Sequence, residues 1–198
     1  MSVYVLSSVA AQKEGVKLTF SHTDSEISQK EVLLLTEKSY RKMGAPSKGA
    51  TLSEADMEGY RLLHRRYHAI RRALSVLSAA DNSERMLYRK LRARGISHEY
   101  ACFAVAYVKK NDLIREREQL NRLIVRLANE KLYGQARIVR ALNEKGYRIS
   151  EINESLTECI ESGAVDFSEN LRALYEKKKP KDDSERKKIA YNYGYRAD

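Results

Sequence analysis

Four residues have the types and the spacing of metal ligands. His64 and His68 are four residues apart, and His98 and Cys102 have the same spacing. On a helix this spacing places two side chains on one face, and the two pairs together would supply the four ligands of a zinc site. The same residues also fit the surface of a long helix and a core cysteine, and that plainer interpretation is favoured. We therefore predict no metal here.

Other patterns that carry chemistry are weak. The segment 44–49 contains Gly, Ser and Lys but has neither the spacing of a phosphate-binding loop nor a preceding strand. The sequence has no Cys-x-x-Cys pair, and Cys102 and Cys159 are predicted to be reduced, buried small side chains. We expect a protein that uses no cofactor and is not an enzyme.

The basic residues favour binding to a polyanion. The chain has 37 Lys and Arg against 27 Asp and Glu, with a net charge of +10. Residues 64–94 contain nine bases and two acids, residues 115–148 contain nine and four, and residues 149–170 contain six acids and no base. A solvated helix face normally mixes the two signs, so this segregation favours a directed cationic surface, although any single arginine is most simply a solvated charge.

The candidate residues for that surface lie mainly on predicted helices. They are Arg65, Arg72, Arg85, Arg89, Arg92, Arg94, Arg122, Arg126, Arg137, Arg140, Lys145, Lys178, Lys179, Lys187 and Lys188. Three tyrosines near the end of the chain, Tyr191, Tyr193 and Tyr195, have rings that can stack on bases or pack within a helical core. The sequence leaves both roles open for the tyrosines.

A repeated helical unit positions many of these bases. Aliphatic residues stand eight and four positions before both Gly95 and Gly146, with a base directly before each glycine. This spacing predicts a short basic helix that ends at the glycine, where a left-handed conformation is tolerated. Similar apolar offsets on both sides predict a three-helix unit, and a weaker third copy ends at Gly194. Tandem units of this kind bury their faces against their neighbours.

The remaining segments complete the predicted organisation. Residues 1–52 are expected to hold a hairpin of two short strands that turns near Gly15, a short helix from Ser28 to Tyr40 and a loop. Repeat 1 is predicted at 53–111. Its long first helix is predicted to begin at a capping box of Ser53 with Asp56 and to turn Leu74 inward, and Asp81 is predicted to cap its basic helix. Repeat 2 is predicted at 112–165, beginning with one helix over 112–130, and a truncated repeat 3 at 166–198. The fold class is therefore all-α, with the repeats in an extended curved array and a small N-terminal β hairpin.

The ordered set of repeat residues resembles the RecX family, which modulates the bacterial recombinase RecA. The first set is Ala73-Leu74-Ser75-Val76-Leu77, Ser83-Glu84, Leu87, Leu91 and Gly95-Ile96. The second set is Lys131-Leu132-Tyr133-Gly134, Arg137-Ile138, Leu142 and Lys145-Gly146-Tyr147. The resemblance covers residues 56–195 well and residues 1–50 loosely. The chain differs from the family at its end, because a third closing helix is missing from repeat 3.

The resemblance implies a regulator that binds the RecA–DNA filament along its groove and modulates, by inhibition, recombinase activity in recombination and the SOS response, with weak binding to DNA alone. Independently of it, short basic helices also fit a stand-alone helix-turn-helix DNA-binding regulator, and an interaction scaffold without a nucleic-acid role is a third class. No run of about 18 apolar residues and no signal-peptide pattern is present, so we expect a cytoplasmic protein that does not enter a membrane. We further expect a monomer.

Overall fold

In the computed structural model of the chain, residues 3–22 and 30–195 are described. Over these residues the protein is mostly helical, with a small antiparallel sheet near its N-terminus. The chain forms two units, which we call unit 1 (Met1–Ser75 and Leu91–Val108) and unit 2 (Val76–Lys90 and Lys109–Asp198). The predicted helical class is confirmed, and the sheet is larger than predicted.

The sheet of unit 1 contains the predicted hairpin and two further strands. The strands are β1 (Val3–Gln12), β2 (Gly15–His22), β3 (Lys30–Leu35) and β4 (Thr51–Ser53), in the order β3-β2-β1-β4. Gln12 pairs with Gly15, so the hairpin turns at the predicted place. Alternate residues of β2 point into the core, as a half-buried strand requires. Side chains of the sheet pack there with Met57 and Tyr60.

The predicted helix from Ser28 to Tyr40 is wrong. Ser28 lies outside the described residues, Lys30–Leu35 is strand β3, and only Glu37–Lys42 is helical. The apolar run from Val32 to Leu35 is too short to separate a buried helix from a strand by periodicity. Pairing with β2 decides the outcome, because it buries alternate residues, Leu33 and Leu35, on the core side.

The helices have the following bounds: α1 (Glu37–Lys42), α2 (Glu54–Ala79), α3 (Glu84–Ala93), α4 (His98–Lys110), α5 (Glu116–Val125), α6 (Gln135–Glu144), α7 (Ile149–Glu161), α8 (Phe167–Lys178) and α9 (Asp183–Tyr193). A π-helical turn, Arg126–Glu130, follows α5, so the single helix predicted over 112–130 is shorter and irregular.

Helix α2 begins at the predicted capping box and packs on the sheet. The Asp56 amide donates to Ser53 Oγ at 3.2 Å, and the Ser53 amide donates to Asp56 Oδ2 at 3.0 Å. Arg61 fastens the helix to β3, with Nε 2.9 Å from Glu31 Oε1. Further along α2 the buried positions are alanines and Val76, whereas Leu74, predicted to point inward, is exposed. Small side chains therefore form the buried face of this later part of α2, and the spacing of the large apolar residues did not predict them.

The two repeated glycines end helices, as predicted. Gly95 follows α3 with φ 81°, and Gly146 follows α6 with φ 91°. In both places the amide after the glycine donates to the carbonyl five residues earlier, at 3.2 Å. Helices α3 and α6 each have 10 residues, and α4 and α7 each have 13. The elements around the two glycines match locally, while the repeat array as a whole stays a prediction.

Ser83, and not the predicted Asp81, caps α3. The Met86 amide donates to Ser83 Oγ at 3.2 Å, which is the usual bond from the third helical residue to its cap. The hydroxyl of Ser83 also donates to the Lys145 carbonyl at 2.8 Å, directly before Gly146. Asp81 instead pairs with Arg122, at 3.0 Å between Oδ2 and Nη2. The start of α3 and the end of α6 are thereby joined inside unit 2.

The core of unit 2 is formed by α5, the π-helical turn, α6 and α7. Its buried residues are Leu120, Ile124, Ala128, Ile138, Leu142, Tyr147, Ile152, Leu156, Cys159 and Val165. Cys159 is buried as predicted, whereas Cys102 is exposed, contrary to the prediction. Helix α8 ends within the lysine-rich segment 177–181, where Lys179 adopts φ 50°. Asp182 caps α9 by accepting from the Glu185 amide at 2.8 Å.

Candidate functional site

A groove of about 950 Å³ lies in unit 2 between α6 and the end of α9. We call it the α6–α9 groove. Its lining residues are Tyr133, Ala136, Arg137, Arg140, Ala141, Glu144, Tyr191, Asn192, Gly194 and Tyr195. The groove therefore brings together two predicted basic residues and two of the three predicted tyrosines.

Backbone hydrogen bonds hold the end of α9 against the start of α6. The Gly134 amide donates to the Tyr193 carbonyl at 2.7 Å, and the Ala136 amide donates to the Gly194 carbonyl at 3.2 Å. These amides belong to the first turn of α6, whose N–H groups lack partners within the helix. The carbonyls at the end of one helix thus satisfy the amides at the start of another.

Glycine is required at both sides of this contact. A Cβ atom on Gly134 would lie 2.5 Å from the carbonyl of Gly194, and a Cβ atom on Gly194 would lie 2.5 Å from the amide nitrogen of Arg137. Gly194 also has φ 84°, a conformation that favours glycine. The close approach that forms the groove therefore depends on two glycines that are 60 residues apart in the sequence.

Arg137 is held rigidly inside the groove. Its Nη1 donates to the Asn192 carbonyl at 2.9 Å, and its Nη2 donates to the Tyr133 hydroxyl at 3.3 Å. The guanidinium carbon lies 4.0 Å from the ring centre of Tyr133 and 5.1 Å from that of Tyr193. Both distances are within the range of cation–π attraction. Among the described residues no carboxylate pairs with Arg137, so its positive charge is fixed in place without being neutralised.

Arg140 and Tyr191 form the accessible part of the groove. Arg140 is exposed and makes no ion pair with any described residue. Tyr191 is 78% exposed, whereas Tyr193 and Tyr195 are half-buried. Tyr195 donates to the Leu132 carbonyl at 3.2 Å, and burial raises the pKa of its hydroxyl to about 12. The three tyrosines left open by the sequence thus divide into two that pack internally and one that faces solvent.

One further candidate base approaches the groove from α8. The Lys178 ammonium lies 5.6 Å from the ring centre of Tyr193, on which Arg137 also stacks. Lys187 and Lys188 are exposed on α9, four and three residues before Tyr191, and helical spacing places them on the same side as that ring. Lys179 and Lys145 are exposed but do not line the groove.

The other candidate bases lie on separate surfaces, and several are neutralised. Arg65 pairs with Glu58 at 3.3 Å, Arg122 with Asp81 at 3.0 Å and Arg126 with Glu130 at 3.9 Å. Arg92 donates to the carbonyl that follows Gly95, at 2.9 Å. Arg72, Arg85, Arg89 and Arg94 are exposed and make no ion pair with any residue in the described ranges. Of the predicted bases, Arg137 and Arg140 line the α6–α9 groove. Lys178, Lys187 and Lys188 lie next to it, and the others lie elsewhere.

The four residues with the spacing of metal ligands make other contacts. His64 Nδ1 accepts from the Leu34 amide at 3.0 Å, at the outer edge of strand β3. The rings of His64 and His68 are 6.3 Å apart, and burial lowers the pKa of His68. Cys102 Sγ lies 3.7 Å from Nδ1 of His98. Within residues 3–22 and 30–195, no group of three or more His, Cys, Asp or Glu side chains is arranged to hold a metal ion.

Sequence reasoning missed the backbone contact that creates the groove. The Asn192 carbonyl, Gly134 and Gly194 contribute main-chain atoms, which leave little trace in residue type. The available signal was the presence of glycine at the start of one basic helix and at the end of another.

Among the described helices, none combines the length and the apolar composition needed to cross a membrane.

A mostly helical chain with a cationic, tyrosine-lined groove has the features of a binding protein, and comparisons with known proteins give its family. Over 111 residues it is 31% identical to "Regulatory protein RecX" of Pseudomonas savastanoi pv. phaseolicola, covering 56% of this chain and 68% of that relative. It is 32% identical to "Regulatory protein RecX" of Pseudomonas putida, covering 75% of that relative. The chain belongs to the RecX family of regulatory proteins.

Solved structures share the fold. A "Crystal structure of regulatory protein RecX" matches with a TM-score of 0.69 at 18% identity, covering 98% of this chain and 95% of that one. The RecX structure from Lactobacillus salivarius matches with a TM-score of 0.54 at 17% identity, covering 65% and 85%. No family model matches the sequence. The resemblance stated from the sequence is confirmed.

Proposed function

We propose that this chain binds the RecA–DNA filament and inhibits the recombinase, in recombination and in the SOS response. The observation that carries the proposal is the similarity to proteins named regulatory protein RecX over 111 residues. The exposed bases that lack carboxylate partners among the described residues support it, because a filament presents DNA phosphates and a directed cationic surface is attracted to them. The chain acts by binding as a cytoplasmic monomer and uses no cofactor.

The repeat organisation is part of this proposal. The repeats occupy 53–111, 112–165 and 166–198, after an N-terminal segment of residues 1–52. The matching lengths of α3 and α6 and of α4 and α7 support the first two repeats. In an extended, curved array, such units follow a helical groove and place bases from successive repeats along it.

Inhibition is tested by strand exchange. Purified chain is added to RecA-catalysed exchange between a single strand and a duplex, and product formation and ATP turnover by RecA are followed in parallel. We expect both to fall as the chain is added. The charge-reversed variant Arg140→Glu should inhibit less while keeping the helical content of the parent. Unchanged exchange at saturating chain contradicts the proposal.

A stand-alone DNA-binding regulator is the second candidate function. Arg85 and Arg89 favour it, because they are exposed one turn apart on the short helix α3 and make no ion pair with a described residue. Such a regulator gains its affinity from a preferred DNA sequence and has no need of RecA. Selection of bound sequences from a random duplex pool separates the two, since the filament proposal expects no enriched site.

A further inference from the structure

One aromatic side chain in the α6–α9 groove has no internal role. Tyr191 is 78% exposed, and no hydrogen bond or ring contact joins its side chain to another described residue. Its neighbours differ: Tyr193 stacks edge-on against Tyr133 at 6.2 Å, and Tyr195 stacks against Phe167 at 6.3 Å. An unpartnered flat ring at the edge of a groove offers a face to a ligand.

The charges around this ring fit a nucleic-acid backbone. Arg137 and Arg140 line the groove without carboxylate partners among the described residues, and Glu144 is the one acidic side chain among the described lining residues. Lys187 and Lys188 add two exposed ammonium groups one turn before Tyr191. Proteins that bind single strands combine an aromatic ring, which stacks on a base, with cations that follow the phosphates.

The groove is also organised before any ligand arrives. Arg137 is fixed by the Asn192 carbonyl, and its guanidinium contacts both the Tyr133 and the Tyr193 ring. The backbone that carries Tyr191 is fastened to α6 by the bonds from Gly134 and Ala136. Little conformational freedom remains to be lost when a strand binds, and this favours affinity.

We propose that the α6–α9 groove binds single-stranded DNA, with an unpaired base stacked on Tyr191 and its flanking phosphates at Arg140, Lys187 and Lys188. A single strand is favoured over a duplex because bases inside a duplex already stack on each other and present no free face. An acidic peptide would match the cations but would leave the exposed ring unused. The site deepens the proposed function by naming a DNA contact, and it is testable without the recombinase.

The test measures binding of a fluorescent oligothymidylate by anisotropy at one low ionic strength. Tyr191→Ala should weaken binding about tenfold, within the range found for loss of one base–aromatic stack. Tyr191→Phe keeps the ring and should remain within about twofold of the parent. Tyr107→Ala is the matched control, since Tyr107 is exposed on α4 and does not line the groove. Circular dichroism checks that each variant keeps its helical content.

Several results would overturn the inference. They are an absence of measurable binding by the parent chain, equal affinity of Tyr191→Ala and the parent, and equal losses for Tyr191→Phe and Tyr191→Ala. Poly-glutamate bound as tightly as the oligonucleotide, with the same loss in Tyr191→Ala, would assign the groove to an acidic peptide instead. Binding to RecA filaments, measured alongside, keeps the proposals distinguishable. The filament preference can fail while the Tyr191 effect persists, and the Tyr191 effect can fail while the filament preference persists.

Discussion

Arg137 combines a structural and an electrostatic role in one side chain. It connects α6 to the end of α9 through Asn192 and stacks on two tyrosines, while keeping a charge that no described carboxylate neutralises. The sequence marked Arg137 and Arg140 as equivalent bases. The structure separates them, since Arg140 is exposed and makes no such contact. Charge reversal intended to test partner binding therefore belongs at Arg140, where the fold does not depend on the side chain.

The first prediction concerns the stability supplied by Arg137. Arg137→Ala should lower the free energy of unfolding by about 1–3 kcal/mol, because it removes two hydrogen bonds from a charged donor and two cation–π contacts. Arg140→Ala, the exposed control on the same helix, should change it by no more than about 0.5 kcal/mol. Urea unfolding followed by circular dichroism measures both. Equal losses in the two variants would contradict the structural role of Arg137.

The second prediction concerns Glu116, whose carboxylate accepts from the Glu84 amide at 2.6 Å. Burial raises the pKa of Glu116. A carboxyl whose pKa is raised by folding contributes stability below its unfolded pKa, and that contribution is lost as pH rises through the folded pKa. Glu116→Gln keeps an acceptor without the charge. It should therefore melt above the parent at pH 7, with the difference shrinking as the pH falls through the raised folded pKa towards the ordinary value of 4.5.

Glu158 supplies a control of opposite sign. Hydrogen bonds from Arg117 and Asn121 lower the pKa of Glu158, so its contribution is present above the unfolded pKa and is lost as pH falls through the folded pKa. Glu158→Gln should therefore melt below the parent at pH 7, with the difference again shrinking in acid. The melting temperatures of both variants, measured between pH 3 and pH 8, check these two predictions. This interval spans the usual range of carboxyl pKa values. Shifts of the same sign at pH 7 would refute this account.

At the scale of elements, the helix ends at Gly95 and Gly146 share a backbone conformation but not their surroundings. A Cβ atom on Gly95 would meet nothing within 4 Å, whereas one on Gly146 would lie 2.8 Å from Ser83 Oγ. The Gly146 end is therefore joined to the start of α3 through Ser83, which also binds the Lys145 carbonyl. The two helix ends therefore match in backbone shape but differ in what packs on them.

The third prediction uses this difference. Gly95→Ala should cost about 1 kcal/mol, because alanine is strained at positive φ. Gly146→Ala should cost at least about 1 kcal/mol more, since the added methyl group also collides with Ser83. Denaturant unfolding of the two variants compares the losses. A Gly95→Ala loss equal to or larger than that of Gly146→Ala would show that the close contact at Ser83 is absent.

The sequence predicted elements well where the signal was local. The capping box at Ser53, the turn before Gly15 and the glycine helix ends depend on residues close together in the chain, and the structure contains all of them. The helix predicted from Ser28 to Tyr40 was wrong because partner strand β2, and not local preference, decides the state of its short apolar run. The groove was not predictable, because it depends on main-chain contacts between glycines distant in sequence.

At the scale of the whole molecule, the excess of positive charge determines how binding should respond to salt. The net charge is +10, and the bases around the α6–α9 groove lack carboxylate partners among the described residues. Phosphate contacts release counterions, so affinity for a strand falls as salt rises, with a slope that counts the contacts. Bases already paired with acids, such as Arg122 with Asp81, contribute less to that slope.

The fourth prediction concerns this dependence of affinity on salt. In the double variant Arg140→Gln with Lys187→Gln, the slope of log affinity against log salt for single-stranded DNA should become shallower by about 1.4, at about 0.7 per lost phosphate contact. Lys17→Gln, an exposed lysine on β2 outside the groove, should leave the slope unchanged. Anisotropy titrations over a series of salt concentrations give both slopes. Equal slopes in the double variant and the parent would place the phosphate contacts elsewhere.

The most direct test of the proposed function compares three ligands at one ionic strength: duplex DNA, single-stranded DNA, and a RecA filament held by a nonhydrolysable nucleotide. A filament regulator must gain affinity from the recombinase as well as from DNA. We predict that the filament is preferred by at least about tenfold, which corresponds to about 1.4 kcal/mol. No preference for the filament, together with strong preference for one duplex sequence, would contradict the account and favour a stand-alone DNA-binding regulator.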